Sequence, residues 1–238
     1  MTEEFDYPHD DVMCRGRIAL PAGDDRRPGV AVFADIGGIG EHCIERAERL
    51  AAELGYVALA ADFYGEGAVP KDFAEGMPWL QKWRADPVAI AARAGAALEA
   101  LRSHPRCNGQ LGAIGFCFGG SVVLETARAD YPGFLAGVSF HGDVATPAPL
   151  NAGPLSAKLL VCHGAEDPLV PDASLITFLR EMAVAKADCQ TIAYTGVVHS
   201  FTNKNADGSV MAFAKYDAAT DRRSWAAMIA HFAEVFGS

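Results

Sequence analysis

The sequence predicts a three-layer α/β architecture, a mostly parallel sheet with helices on both faces. Three observations lead there. Short apolar, β-branched runs recur along the chain and read as strands buried on both sides. Amphipathic helical patterns lie between those runs. Strand and helix alternate, which is the order that parallel pairing through helical crossovers requires. The chain has 238 residues, half of them hydrophobic, enough to bury a sizeable core in one domain over residues 1–238.

Taken in order, the run CRGRIALP (14–21) is expected as an edge strand and GVAVFADI (29–36) as the first buried one. EHCIERAERLAAELG follows, with apolar positions at Ile44, Ala47, Leu50, Ala51 and Leu54 and charges on the other face. Its closing Gly55 suits the left-handed position past a helix end. YVALAADFY (56–64) is the next strand. Residues 65–85, GEGAVPKDFAEGMPWLQKWRA, are rich in Gly and Pro and read as an excursion with a short helix at WLQKW. They follow the carboxyl end of a strand, so they are placed to overhang a site. DPVAIAARAGAALEALRSH starts with Asp86 and Pro87, a cap followed by a first-turn proline. Strands are then expected at 111–116, 135–142, 157–164 and 189–196. Helices are expected in SVVLETARADY, DASLITFLREMAVA and RRSWAAMIAHFAEVF. Right-handed crossovers bring the carboxyl ends of such strands to one edge of the sheet, where ligands bind.

The formal net charge of −10 argues against nucleic acid or an anionic membrane surface as partner. No apolar run approaches the roughly 18 residues a membrane span needs. The stretch MTEEFDYPHDD is acidic and lacks the apolar core of a signal peptide. Six cysteines stand at positions 14, 43, 107, 117, 162 and 189, mostly among apolar neighbours, with no C-x-x-C pair and no zinc spacing. They are expected as reduced thiols in a cytoplasmic protein, with no metal.

One cysteine stands apart. LGAIGF-C-FGG-SVVLETA reads as strand, sharp turn, helix, and the glycines at 115 and 119 place Cys117 in the G-x-S-x-G pattern of a nucleophile elbow, sulfur replacing oxygen. The glycines leave room where strand meets helix, and the helix N-terminus favours a thiolate there. A thiol nucleophile needs a base, and the base an orienting acid. Asp167 follows one strand in KLLVCHGAEDPLVP, and His199 follows the next in TIAYTGVVHSFTN. The chain order nucleophile, acid, histidine is that of the α/β hydrolases, and the intervals put all three at the same sheet edge. Each has a structural alternative: a core cysteine, a turn aspartate, a loop histidine. Their joint order at successive strand ends favours chemistry.

GFCFGG, HGAEDPLVP and VVHSF together resemble the dienelactone hydrolase family, α/β hydrolases with a Cys-His-Asp triad. The resemblance runs from about residue 12 to 236 and includes ADFYGEG and AATDRRSWAAMIAHF. It implies attack by Cys117 on an ester or lactone carbonyl without a cofactor, with His199 as proton carrier and Asp167 orienting it. It also implies an oxyanion hole from the backbone N–H groups of Phe118 and Ile36. Asp35 stands where the family has a glutamate that interacts with the thiol. Asn203 stands where it has an arginine for the substrate carboxylate, with Lys204 and Arg84 the alternatives for that role. The resemblance therefore supports the hydrolase and weakens a dienelactone as substrate. Tyr64, Trp83 and Ser200 are expected around the substrate, with Trp79, Trp83 and Phe116 or Phe118 as an apolar wall.

Other readings follow from the same residues. A thioesterase or acyltransferase would use the same site. A hydrolase-fold binding protein would not need all three groups, and a redox sensor would want Cys162 as second thiol. His141 and His163, both at strand ends, are expected to line the pocket or support the Asp167 loop. The glycines of DIGGIGEH (37, 38, 40) fit an oxyanion loop better than a dinucleotide loop, since Cys43 occupies the third glycine position. The expected partner is a small-molecule ester or lactone, with neither nucleic acid nor membrane involved.

Overall fold

Side-chain alternation along the strands divides the core into two apolar clusters, one on each face of a single sheet. Along β3 (Arg27–Phe33), Val30 and Val32 join one cluster while Ala31 and Phe33 join the other. β4 (Val57–Ala61) does the same with Ala58 and Ala60 against Val57, Leu59 and Ala61. Two-sided burial leaves no polar face, which is why these runs carry no polar alternation. The computed structural model describes residues 1–237.

The eight strands are β1 (Thr2–His9), β2 (Val12–Ala19), β3, β4, β5 (Cys107–Phe116), β6 (Phe134–Phe140), β7 (Lys158–Gly164) and β8 (Cys189–Tyr194). They lie in the order β1-β2-β4-β3-β5-β6-β7-β8. β1 and β2 are antiparallel to their neighbours, and every pairing from β4 to β8 is parallel. Helices α1 (Glu41–Leu54) and α6 (Ala218–Phe236) cover one face, with Leu50, Met228 and Phe232 in its cluster. Helices α3 (Pro87–Ser103), α4 (Phe118–Arg128) and α5 (Asp172–Val184) cover the other, with Leu98, Val122 and Phe178. This is the three-layer, mostly parallel architecture expected. No helix among the described residues is long and apolar enough to cross a membrane.

The helix boundaries obey local chemistry. Asp86 caps α3 by accepting from the Ala89 N–H at 3.0 Å, with Pro87 in the first turn. Gly55 ends α1 at φ 71°. The excursion at 65–85 carries α2 (Phe73–Arg84), longer than the expected short helix because Asp72 caps it a full turn and a half earlier. One expectation needs correction, and one strand was not foreseen. The run at 14–21 is not an edge: β2 lies between β1 and β4, and β1 is the edge. β1 escaped the sequence reading because only Tyr7 in it is buried, so it has no apolar run. The pairing of His9 with Val12 closes a hairpin around Asp10 and Asp11.

A buried ion-pair cluster ties α4 to α5. Arg128 donates to both oxygens of Glu181 at 2.9 Å, to Glu125 at 2.9 Å and to the Val144 carbonyl at 2.8 Å. Burial raises the Glu125 pKa, and the guanidinium works against that shift; Glu181 also accepts from the Leu150 N–H at 2.9 Å. Arg128→Met strands two buried carboxylates and is expected to cost about 3–5 kcal/mol in neutral buffer. The loss should shrink in mildly acidic buffer as the Glu125 carboxyl, its pKa raised by burial, protonates. Urea unfolding of wild type and variant at both pH values measures this.

Candidate active site

Five parallel strands deliver the chemistry to one edge. β3 leads into Asp35 and Ile36, β5 into Cys117, β6 into His141, β7 into Asp167 and β8 towards His199. Cys117 forms the turn between β5 and α4, at φ 54° and ψ −115°. That conformation is strained for a residue with a side chain, and such strain persists only where the surroundings enforce it. Here the enforcement is packing. A Cβ on Gly115 would collide with the Gly119 carbonyl, and one on Gly119 with the carbonyl of Phe33. Strand and helix therefore approach too closely for any other residue, and the chain turns sharply at Cys117.

The Cys117 N–H is held from the neighbouring strand, by the Phe140 carbonyl at 3.0 Å and by His141 Nδ1 at 3.1 Å. His141 Nε2 lies 2.8 Å from Thr202 Oγ1. Burial, reinforced by the charges of His199 and His42, pushes the His141 pKa well below the ordinary value, so the ring is neutral. An acceptor at Nδ1 puts its proton on Nε2, facing Thr202. The Thr202 carbonyl in turn accepts from Arg46 at 2.7 Å, and Arg46 also binds Asp221 at 2.9 Å. A chain of buried polar groups thus runs from α6 through α1 to the backbone of the cysteine.

His199 Nδ1 lies 2.7 Å from Asp167 Oδ2. Asp167 also accepts from the Leu169 N–H through its other oxygen at 2.9 Å, which fixes the carboxylate. His199 Nε2 is buried and has no partner in good hydrogen-bond geometry among the described residues, and the Cys117 sulfur is the group that acts on it. Burial alone lowers the His199 pKa. The charge of the nearby Cys117 sulfur and the bond to Asp167 outweigh it and raise the pKa from 6.5 to about 10. At neutral pH the ring is an imidazolium.

These groups open into a cavity of about 490 Å³. Its floor holds Cys117, His199, Ile36 and Phe118; one wall is the excursion, through Pro70, Phe73, Met77, Leu80 and Arg84. The facing wall is the long connection after β8, through residues such as Asn203, Val210 and Phe213. The Ile36 N–H makes no hydrogen bond among the described residues, and the N–H of Phe118 begins α4, where helix donors lack internal partners.

The residues from 14 to 236 match the family model described as the dienelactone hydrolase family. The chain belongs to the dienelactone hydrolase family. Membership makes it a hydrolase of esters or lactones with the α/β-hydrolase fold. It is 29% identical to a putative carboxymethylenebutenolidase of Salmonella typhimurium over 228 residues, covering 91% of this chain and 80% of that one. Among solved structures it is similar to a dienelactone hydrolase-like promiscuous phosphotriesterase from metagenomic libraries, with 38% identity, a TM-score of 0.93 and coverage of 99% and 98%. It is also similar to a putative dienelactone hydrolase of Klebsiella pneumoniae, with 25% identity, a TM-score of 0.74 and 98% coverage of both.

Within this hydrolase, Cys117, Asp167, His199, Ile36, Phe118, Asp35 and Ser200 converge as the sequence suggested. Tyr64 and Trp83 do not line the cavity. Tyr64 stands behind its wall, donating to the Ile36 carbonyl at 2.9 Å and stacked on Phe118. Trp83 packs against Phe63 and under Arg93. Phe116 is likewise core, stacked on Phe140. Asp35 is committed to the Gly37 N–H at 2.8 Å and to the Asn203 side chain, with no hydrogen bond to the thiol among the described residues. Cys162 is buried beside the Tyr194 hydroxyl, and burial pushes its pKa up to about 12, so it is a protonated core thiol. His163 is buried in β7 and its Nδ1 finds no partner among the described residues; the main chain, through Asp167 N–H to the Gly164 carbonyl, holds the Asp167 loop. Sequence reasoning missed the hold of His141 on the cysteine backbone, and the cavity wall at 203–214. Only the turn-rich NKNADGS marks the latter.

Two outcomes are expected. By NMR the His199 ring should titrate near pH 10 in the wild type and markedly lower in Cys117→Ala, which removes the sulfur's charge. Because the folded pKa is raised, the imidazolium contributes stability that is complete below pH 6.5 and is lost as pH rises through about 10. His141→Phe keeps a ring but removes the acceptor for the Cys117 N–H. It should lower kcat for ester hydrolysis about 10- to 100-fold with KM little changed, the cost of a small misplacement of the reacting atom. Steady-state kinetics on variants with an unchanged circular dichroism spectrum check this.

Proposed function

We propose that the protein hydrolyses a small ester or lactone through an acyl-thioenzyme, with Cys117 as nucleophile, His199 as proton carrier and Asp167 orienting it. One observation carries the reading: a cysteine in enforced, strained backbone at a helix N-terminus opens into the same cavity as a histidine whose far nitrogen is bound to a buried aspartate.

The attacking species in this reading is the Cys117 thiolate, with the His199 imidazolium beside it. The sulfur attacks the substrate carbonyl, and the new oxyanion is met by the backbone N–H groups of Phe118 and Ile36. Donors of this kind each matter by about 10²–10³ in rate. The intermediate collapses as the alkoxide leaves with the proton of His199, which gives the acyl-thioenzyme and a neutral imidazole. That imidazole takes a proton from the attacking water. The second oxyanion collapses, expelling the thiolate and releasing the acid, and His199 is again an imidazolium beside it. Asp167 keeps Nε2 directed at the reacting atoms throughout. Asp35, half-buried with its pKa raised by burial, shapes the loop that presents the Ile36 N–H, through its bond to Gly37. The Ser200 hydroxyl, beside His199 in the lining, is placed to contact the substrate.

A relative described as a promiscuous phosphotriesterase shares 38% identity across nearly the full length, and a thiolate also attacks tetrahedral phosphorus. Slow phosphotriester cleavage at the same cysteine is therefore a second activity to test. p-Nitrophenyl acetate turnover by the wild type beside Cys117→Ala, His199→Ala and Asp167→Asn tests the main reading. The first two variants should lose about 10³-fold or more and the third less, as nucleophile and base act as a unit. Equal rates in wild type and Cys117→Ala would sink the reading.

A further inference from the structure

We propose that the cavity selects uncharged esters with a bulky apolar acyl or aryl group, and that the ion pair between Arg84 and Asp143 sets this selectivity by neutralising its cation. The proposal rests on the hydrolase reading above and names the substrate class of that same site.

The size and lining of the cavity carry the first half. About 490 Å³ is the volume of sites that hold drug-sized ligands, far more than an acetyl group fills. Met77 and Leu80 face it from α2, and Met211 and Phe213 from the connection after β8. At the rim, Phe73 is 43% exposed and Val210 82% exposed. Large apolar side chains gathered around one opening are the mark of a surface that an apolar ligand covers.

The charges carry the second half. Among the described residues lining the cavity, Arg84 is the one lysine or arginine, against Asp35, Asp72, Asp143 and Asp207. Arg84 is not free: its guanidinium pairs with the Asp143 carboxylate. Asp143 is itself held, since its other oxygen accepts from the Ala145 N–H at 2.9 Å and its carbonyl from the Ser121 hydroxyl at 2.8 Å. Lys204 stands outside the lining and pairs with Glu45 at 2.5 Å. His199 is occupied by Asp167 and the cysteine. An anionic acyl group entering the site would lose its water, meet four carboxylates and find each cation already paired. Uncompensated burial of a charge is what such a site rejects.

The test compares p-nitrophenyl pentanoate with mono-p-nitrophenyl succinate, esters of similar length that differ in one carboxylate. The wild type should prefer the neutral ester by about 100-fold in kcat/KM, the scale of a like-charge clash of a few kcal/mol. Pentanoate and benzoate should also exceed acetate. Asp143→Asn releases Arg84 and should narrow the preference about tenfold, roughly one partly screened charge contact. Adding Arg84→Gln should abolish that gain. Equal use of both esters by the wild type, acetate as the best substrate, or a gain that survives Arg84→Gln each overturns the proposal. Calorimetric binding of the two esters to Cys117→Ala reads the same selectivity without turnover. There, equal affinities overturn the substrate class, while a neutral preference in a protein that never hydrolyses either ester upholds it and sinks the hydrolase reading instead.

Discussion

The close approach of β5 to α4 is the constraint on which the site depends. β5 and α4 meet with no space for a side chain at Gly115, and the end of β3 leaves none at Gly119 on α4, so the backbone must reverse within one residue. That residue is driven to a positive φ, and its side chain is thrust clear of both elements. A strained turn of this kind stores energy that the rest of the fold must supply. The parallel sheet does so, because β5 is paired on both sides, with β3 and with β6, along its apolar half.

Polar groups then refine what packing begins. The amide of Cys117 is bound from β6 by Phe140 and His141, and His141 is backed by Thr202, Arg46 and Asp221. Arg46 has an amphipathic-helix position that reads as solvent-facing, yet it is fully buried. Its guanidinium also lies over the rings of Phe116 and Trp225. Buried polar chains of this type are costly unless satisfied, and when satisfied they hold one geometry. This one joins the helix layer on one face of the sheet to the turn at Cys117.

The electrostatics of His199 follow from that placement. Burial works against its positive charge, and only the combined anionic partners reverse the effect. The imidazolium is therefore a product of tertiary assembly. Elsewhere in the cavity, the same logic pairs Arg84 with the Asp143 carboxylate, which leaves a largely apolar chamber with the Cys117 thiol at its base.

Much of this was legible in the chain. The buried strands announced themselves by continuous apolar runs, since a strand covered on both faces has no polar side to show. Helix limits followed from Asp86, Pro87 and Gly55, whose effects are local. Cys117, Asp167 and His199 could be chosen because the parallel topology carries successive strand ends to a common edge. β1 was not legible, because an edge strand of a hairpin buries one side chain and needs no apolar pattern. Nor could the sequence place Tyr64 and Trp83 behind the wall, commit Asp35 to Gly37 and Asn203, or pair Arg84 with Asp143. Those outcomes depend on which side chains meet across elements far apart in the chain, and that is decided by packing and charge in three dimensions.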